Sequence, residues 1–271
     1  MPVRPAICAQ QGWYPATRPR LLETLKVLVP EREDAAPAVA VVAPHAGFDY
    51  SGGVAGQVYS RVVVPNDVLL LGVNHRNPRA AQFALFDEGA WETPLGDVPI
   101  ATELVAAIAA DCPMVEADPD AHADENSGEL HVPFLKYRNP HVKIAPITIR
   151  GGSLAELREL GTALARAAER VGRPVLLVAS TDMTHYEPHH VAVEKDHLVI
   201  DRILQLDEEA MLATVQRHDI SMCGHDPVAA GLVYAKARGA TTAELVDYKT
   251  SGDAPGGRRD HVVGYAGLII R

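Results

Sequence analysis

The sequence predicts an α/β domain in which helices flank a central, mostly parallel or mixed sheet. Short apolar runs rich in β-branched residues have the length and composition of strands that are buried on both faces. Longer segments with helical spacing lie between these runs, and strands that alternate with helices are typical of parallel pairing. Because 271 residues can form one core and no segment resembles a linker, we expect a single domain over residues 1–271.

The predicted elements follow one another with turn-forming segments between them. The predicted strands are residues 38–42, 68–73, 143–149, 174–178 and 262–270. The predicted helices are residues 102–110, 154–170, 193–204, 207–217 and 227–237, with a further helix starting within 54–59. Polar, proline-rich or glycine-rich segments are predicted to be surface loops at 30–37, 117–124 and 252–260.

Charge, cysteine content and hydropathy limit which partners and which cellular compartment are expected. The chain has 25 basic and 35 acidic side chains, and its net charge of −10 argues against nucleic acid or an anionic membrane as the main partner. Its three cysteines are scattered and form no CxxC pair, so neither a disulfide framework nor a zinc knuckle is indicated. No apolar run approaches the ~18 residues of a membrane span, and the first residues lack the apolar core of a signal peptide. We therefore expect a cytoplasmic protein without membrane association.

Polar residues follow three of the predicted strands. His45 comes directly after AVAVVAP, His75 after VLLLGVN, and Asp182 and His185 after PVLLVAST. Ligands of open α/β sheets bind beyond the carboxyl ends of the strands, where polar groups from separate strands converge. A single histidine after a strand is more often a hydrogen-bonded loop residue. Three at equivalent positions favour one shared site.

Cys223 lies just before a predicted helix. In SMCGHDPVAAGLVYAKA, Asp226 and Pro227 are typical of a helix cap followed by the first helical residue. A helix N-terminus stabilises a thiolate, which is the form of cysteine that binds metals or attacks a substrate. The local sequence alone is nevertheless more typical of an inert buried thiol, so both interpretations stay open at this point.

The segment HADENSGELHVPFL places Glu125 and Glu129 one helical turn apart, on one face if the segment is helical. Such a face is usually only solvated charge, but a carboxylate directed at a metal pocket can serve as a base or support a metal ligand. The sequence contains no HExxH, GxSxG, GxGxxG or GxxxxGK[ST] motif. Hydrolysis or nucleotide binding through those motifs is therefore unsupported.

Together these segments resemble the Memo-like family, also called component B of the AmmeMemoRadiSam system. The resemblance runs nearly end to end and rests on an ordered set of short motifs: GWYP, PHAGFDYSGG, LGVNH, ENSGELHVPFL, STDMTHY, CGHDP, YKTSGD and VVGYAGLII. The family is similar in fold to class III extradiol dioxygenases, which implies a three-layer sandwich. Those dioxygenases hold non-haem Fe(II) with two histidines and a carboxylate.

The resemblance also implies a metal site and catalytic groups. The family's metal set of two histidines and one cysteine falls on His45, His75 and Cys223. Its neighbouring acid falls on Asp182, and His185 stands where the related dioxygenases keep their acid–base histidine. Glu125 belongs to a Glu-His-Ser triplet that is frequent in the family, but Asn126 replaces the histidine here. One pocket histidine is therefore expected to be missing.

Three functions are compatible with this ligand set. Two imidazoles and a thiolate suit iron, copper or zinc without distinguishing them, and the likeness to the dioxygenases implies Fe(II). With Fe(II), the resemblance implies an oxidoreductase for an unknown small substrate, in which His185 transfers protons and Asp182 orients it. The family name implies a second function, metal binding without turnover beside a radical S-adenosylmethionine enzyme and an AMMECR-type partner. The third is a zinc-dependent hydrolase with Asp182 or Glu125 as the base.

Overall fold

The computed structural model describes residues 2–271, in which a mixed sheet lies between layers of helices. The strands are β1 Val3–Arg4, β2 Ala40–Ala43, β3 Asp67–Val73, β4 Phe83–Leu85, β5 Ala90–Trp91, β6 Val98–Pro99, β7 Val115–Ala117, β8 Lys143–Ile149, β9 Val175–Ser180, β10 His185–Glu187, β11 Ala243–Thr250 and β12 Val262–Ile270. The α-helices are α1 Ile7–Gln10, α2 Arg18–Leu28, α3 Phe48–Ser60, α4 Thr102–Asp111, α5 Asn126–Glu129, α6 Val132–Arg138, α7 Leu154–Val171, α8 His189–Leu204, α9 Glu208–Arg217 and α10 His225–Ala237. Short 3₁₀ turns cover Pro119–His122 and Ser251–Asp253.

The main sheet is parallel at its centre and antiparallel towards its edges. Within residues 2–271 its strand order is β10-β12-β2-β9-β3-β8-β4-β7, and β11 also pairs with β12. Strands β2, β9, β3 and β8 are parallel, whereas β12 and β4 run antiparallel to their neighbours β2 and β8. Strands β1, β5 and β6 form a small separate sheet. The predicted mixed α/β fold with flanking helices is therefore confirmed.

The two long crossover helices explain why both faces of the central strands are buried. Helix α3 connects β2 to β3, and α7 connects β8 to β9. In the strand order β2-β9-β3-β8 these two connections run in opposite directions across the sheet. Because such crossovers are right-handed, the two helices cover opposite faces. Helix α3 packs with α2 and α6, and α7 packs with α4 and α10. Within residues 2–271, no helix combines the length and the apolar character that a membrane span needs.

Helix α7 shows how local sequence sets the ends of an element. The Ser153 side chain accepts the Glu156 backbone N–H, and the Glu156 carboxylate accepts the Ser153 N–H, which completes a capping box. The helix ends at Gly172, whose left-handed backbone (φ 69°) favours glycine. The buried positions of α7 are leucine, alanine and one glycine, so its apolar stripe faces α10 and α4.

The predicted helix start at Asp226 is wrong. Helix α10 begins at His225 with Gly224 as its N-cap, so Asp226 and Pro227 both lie in the first turn. Proline is tolerated there because the N–H groups of a first turn have no acceptor within the helix. The Asp226 carboxylate instead accepts the backbone N–H of Gly152 from the loop before α7. This long-range contact leaves no signal in the local sequence.

The segment 117–124 is not simply the surface loop that its polar composition predicts. Its 3₁₀ turn buries Ala121 and His122 while the neighbouring residues stay largely accessible. The His122 ring packs edge-on against Phe86 and Trp91, and its Nε2 donates to the Ala84 carbonyl at 2.9 Å. This 3₁₀ turn places a polar residue in the core, so the polar composition of the segment does not show which of its residues are buried.

We expect His122 to make the fold sensitive to acid. Burial lowers the pKa of His122 to about 4, whereas an unfolded histidine titrates near pKa 6.5. Between pH 7 and 4 the unfolded chain gains a proton that the folded interior rejects, so this residue removes about 3 kcal/mol of stability. His122→Gln, whose amide can still donate to the Ala84 carbonyl, should lose less stability over this range. Urea denaturation at both pH values measures the difference, and equal losses in both proteins would contradict the assignment.

Candidate metal centre

The candidate site lies beyond the carboxyl ends of three adjacent parallel strands. His45, Asp182 and His75 each stand two residues after the last residue of β2, β9 and β3. In the register of the sheet, Ala43 of β2 pairs with Ser180 of β9, so the two strands end at the same level. The sheet therefore brings these three polar residues to one edge, as strand-end placement requires.

Two histidines and one cysteine meet at this edge. The candidate ligand atoms of His45, His75 and Cys223 all lie within 4.8 Å of one another. Cys223 Sγ is 3.4 Å from His45 Nε2, and the two imidazole centroids are 5.4 Å apart at an interplanar angle of 68°. The His45 side chain is buried, whereas that of His75 is partly exposed. Nitrogen and sulfur donors at this spacing form a donor set that fits a transition-metal ion.

Each histidine is held by its Nδ1 atom. His75 Nδ1 lies 2.9 Å from Glu125 Oε1, and the His75 backbone N–H donates to Glu125 Oε2 at 2.7 Å. His45 Nδ1 lies 2.7 Å from Ser180 Oγ. With Nδ1 engaged, Nε2 is the nitrogen that each ring has left for an ion. Metal-binding histidines are typically fixed in this way by a carboxylate or another polar group.

Both carboxylate oxygens of Glu125 are hydrogen-bonded to His75. Burial alone would raise the pKa of the Glu125 carboxyl, but hydrogen bonds from the His75 ring and from the Ser127 and His75 backbone N–H groups outweigh it. The resulting pKa is about 2, so the group is an anion at neutral pH. Of the two roles that the sequence left open, these contacts favour support of a ligand over that of a base.

Glu129 does not share the position of Glu125. Glu125 is the N-cap of α5 in an extended conformation, so the helical spacing assumed for the two residues does not apply. The Glu129 carboxylate is buried and forms an ion pair with Arg4 at 2.7 Å. It also accepts the Cys8 backbone N–H and the Tyr14 hydroxyl. Glu129 therefore anchors the first residues of the described chain rather than the metal centre.

Cys223 reaches the site through a close contact of two backbones. A Cβ atom at Gly224 would lie 2.2 Å from the Ser180 carbonyl oxygen, so only glycine lets the start of α10 approach the end of β9 so closely. Asp182 then donates its backbone N–H to Cys223 Sγ at 3.2 Å. This contact explains how residues 41 positions apart become neighbours.

The helix N-terminus does not make Cys223 a thiolate by itself. Burial, followed by the nearby Asp182 charge, raises the pKa of the Cys223 thiol well above its usual range. A coordinating thiol loses its proton outright, so a bound cation would reverse this effect. Without a bound cation, Cys223 is therefore a protonated thiol.

Comparison with known proteins establishes the family. The family model described as Memo-like protein matches residues 4–269. This chain belongs to the Memo-like family. It is 43% identical to a MEMO1 family protein of Methanopyrus kandleri over 85% of this chain and 82% of that protein. A MEMO1 family protein of Archaeoglobus fulgidus is 38% identical over 96% of this chain and 97% of its own.

A solved structure supports the fold of this Memo-like chain. The crystal structure of uncharacterized protein JW3007 from Escherichia coli K12 aligns with a TM-score of 0.56. The alignment covers 83% of this chain and 98% of that protein, at 14% sequence identity. At this identity the likeness concerns the fold alone. The mixed sheet with flanking helices is thus shared with a second protein.

The candidate metal centre of the Memo-like chain opens into a cavity of about 510 Å³. Its aromatic lining consists of Trp13, Tyr50, Tyr186 and Tyr265, and its polar lining includes Asp49, Arg76, Asn126, Asp182 and His185, beside the two candidate ligands His45 and His75. Asn126, which stands where the family resemblance led us to expect a histidine, is therefore part of the cavity wall. The volume lies within the range typical of small-molecule sites.

Hydrogen bonds place His185 and Asp182 in separate networks. His185 Nδ1 donates to the Ser221 carbonyl at 2.9 Å, and its backbone N–H donates to Ser221 Oγ at 2.8 Å. Asp182 Oδ1 accepts the His45 backbone N–H at 2.8 Å. Among the described residues, Ser221 rather than Asp182 thus orients His185. Neither Ser221 nor Ser180 could be assigned a role from the sequence, because their contacts with His185 and His45 are made only in the folded protein.

We expect Glu125→Gln to weaken metal binding about 10- to 100-fold, the usual cost of losing a partner of a ligand histidine. A neutral amide gives His75 Nδ1–H a weaker acceptor than the carboxylate does. Competition between the protein and a chelator for Zn²⁺ measures the dissociation constant. Glu156→Gln, the same change in the α7 capping box, is the matched control and should bind as the native protein does. Equal affinities of all three proteins would remove Glu125 from the metal centre.

Proposed function

We propose that this protein is a mononuclear metal enzyme, an oxidoreductase related in its chemistry to extradiol dioxygenases, acting on a small aromatic substrate. The observation that carries the proposal is the meeting of three nitrogen and sulfur donors within 4.8 Å beside a cavity of about 510 Å³. Fe(II) held by His45, His75 and Cys223 would supply Lewis acidity and redox capacity. Three protein ligands leave room for further ligands, as catalytic metal sites require.

The cavity walls suit a planar substrate. Tyr50 and Tyr186 are more than half exposed, so their rings are accessible, and the partly buried Trp13 adds a third aromatic surface. Tyr186 also adopts a left-handed backbone (φ 61°), which is unusual for an aromatic residue. Strained residues of this kind cluster at functional sites. These features support an aromatic or similarly flat ligand.

His185 is the residue that we assign to proton transfer. Its Nδ1–H is engaged by the Ser221 carbonyl, and its Nε2 has no hydrogen-bond partner among residues 2–271. The ring is only partly buried and lines the cavity. A neutral imidazole in this state can accept a proton from a substrate hydroxyl through Nε2. Asp182 places its charge at the cavity wall while holding the backbone of His45.

Oxygen uptake tests the proposal. Protein purified without oxygen and without affinity-tag nickel, then loaded with Fe(II), should consume O₂ with at least one compound of a catechol panel. His185→Gln should retain its iron but lose activity about 100-fold or more, because positioned acid–base groups contribute at least this much. His190→Gln, the same change at an exposed position of α8, is the control. If iron-loaded protein consumes no O₂ with any catechol, the oxidoreductase proposal fails.

The cysteine favours a second candidate, metal binding without turnover. A soft thiolate selects Cu(I) or Zn more readily than a carboxylate does. In this case the protein would carry its metal beside a radical S-adenosylmethionine enzyme and an AMMECR-type protein. Co-purification with these partners and metal content without activity would support it. The zinc-hydrolase alternative retains Asp182 as its base, because Glu125 is engaged by His75.

A further inference from the structure

A buried chain of hydrogen bonds extends from His45 into the core. Ser180 Oγ lies 2.7 Å from three atoms, namely His45 Nδ1, His131 Nε2 and the Ser127 carbonyl oxygen. His131 Nδ1 in turn lies 3.0 Å from the Tyr59 hydroxyl. His45 is 3% exposed, and Ser180, His131 and Tyr59 are 0% exposed. Only His45 reaches the cavity wall, and the other three side chains are closed off from water.

The hydrogen positions in this hydrogen-bonded network can be assigned by counting its donors and acceptors. A serine hydroxyl has one hydrogen to donate and two lone pairs to accept with. The Ser127 carbonyl receives no other hydrogen bond within the described residues, so the Ser180 hydrogen is needed there. Both imidazoles must then donate to Ser180, His45 through Nδ1–H and His131 through Nε2–H. The Tyr59 hydroxyl donates to His131 Nδ1, and every polar atom of the network then has a partner.

The reverse arrangement leaves buried groups unpaired. If Ser180 donated to His45 Nδ1, the Ser127 carbonyl would lose its only donor. If Ser180 donated to His131 Nε2 instead, His131 would carry its hydrogen on Nδ1 and the Tyr59 hydroxyl would have no acceptor. Unpaired buried polar groups are costly, so the first arrangement is favoured. Burial also lowers the pKa of His131 to about 3, which keeps this ring neutral with a single N–H.

We propose that Ser180, held in place by His131 and Tyr59, is a positioning residue that selects the Nδ1–H tautomer of His45. In this tautomer the Nε2 lone pair faces Cys223 Sγ, 3.4 Å away, where the metal ion would bind. The ligand is thereby prepared before the ion arrives. His131 thus acts on the ligand His45 through Ser180. The inference rests on the proposed metal centre for its purpose but not for its geometry.

Nitrogen-15 NMR of the metal-free native protein tests the tautomer directly, because ring nitrogens with and without hydrogen have distinct shifts. The inference expects hydrogen on His45 Nδ1 and on His131 Nε2. Hydrogen on His45 Nε2 in the native protein would overturn it. This measurement requires no metal and no variant, so its outcome does not depend on the proposed function.

Zinc affinity of variants tests the consequence. Ser180→Ala should bind Zn²⁺ about 10- to 100-fold more weakly and populate both tautomers of His45. Ser60→Ala removes another buried serine hydroxyl, one that donates to the Gln57 carbonyl, and should bind as the native protein does. His131→Gln retains a side-chain N–H donor for Ser180 and should bind within a few fold of the native protein, whereas His131→Leu should bind more weakly.

The outcomes separate the two proposals. Native protein that shows the expected tautomers but binds no Zn²⁺ would overturn the metal centre and leave the hydrogen-bond assignment supported. Native protein that binds Zn²⁺ while Ser180→Ala binds equally tightly would overturn the positioning role of Ser180 and leave the metal centre intact. Equal binding by His131→Leu and His131→Gln would likewise remove His131 from the arrangement.

Discussion

Cys223→Ala is expected to weaken binding of Zn²⁺ about 100- to 1,000-fold. The binding free energy of protein zinc sites with four ligands reaches about 10–16 kcal/mol, so one ligand accounts for roughly 2.5–4 kcal/mol. Removing Cys223 Sγ leaves His45 and His75 as the only protein donors of the cluster. Competition with a chelator of known affinity measures the change. Cys223→Ser should also bind weakly, because an alcohol loses its proton far less readily than a thiol.

Cys112→Ala is the matched control for this loss. Cys112 is fully buried at the end of α4, and burial raises the pKa of its thiol to about 11. It is not part of the donor cluster, so its loss should leave zinc affinity unchanged. If Cys223→Ala binds as tightly as Cys112→Ala, the thiol is not a ligand and the pocket is a two-histidine site.

Arg4→Met is expected to destabilise the fold by about 3–5 kcal/mol, the usual cost of removing one partner of a buried ion pair. Arg4 is 4% exposed and Glu129 is 1% exposed, and their charged groups lie 2.7 Å apart. The substitution leaves the Glu129 carboxylate buried without a cation. It also removes donors to the carbonyl oxygens of His122 and Glu125. The midpoint and slope of urea denaturation measure the loss.

A second substitution shows whether the charge is the cause. Arg4→Met/Glu129→Gln replaces the stranded carboxylate with a neutral amide, which still offers an oxygen to the Cys8 N–H or the Tyr14 hydroxyl. The double variant should be more stable than Arg4→Met alone, although Glu129→Gln alone should be less stable than the native protein. If the double variant is the least stable of the set, lost packing rather than a stranded charge accounts for the effect.

The central sheet was predictable because its strands consist mainly of apolar residues. Strands β8 and β12 occupy the predicted residues, and β2, β3 and β9 differ from the predictions by one or two. Such strands are buried on both faces, so tertiary contacts reinforce the local signal. Short strands such as β4 and β7 were missed, since three residues carry no periodicity.

The candidate site was predictable to different degrees for different residues. His45 and His75 follow strands, and the strand-end rule places both at one edge of the sheet. Cys223 has no such signal, because its approach to the site depends on the contact of Gly224 with Ser180. Only the family resemblance indicated it as a ligand. The structure therefore places Cys223 beside both histidines, whereas the local sequence does not indicate this position.

The residues behind the ligands were the hardest to predict. Ser180 ends an apolar strand, and its contacts with His45 and His131 join segments 135 and 49 residues away. Glu125 was identified, but its choice between base and support depended on its hydrogen bonds with His75. Hydrogen-bond geometry of this kind follows from tertiary packing, which single-sequence patterns do not encode.

X-ray absorption spectroscopy of the metal-loaded native protein is the most direct test of the metal centre. With Zn²⁺, we expect one sulfur scatterer at about 2.3 Å and two imidazole nitrogens at about 2.0–2.1 Å. The sulfur scatterer should vanish in Cys223→Ala. A spectrum of the native protein without sulfur, or with more than one sulfur, would contradict the ligand set His45, His75 and Cys223.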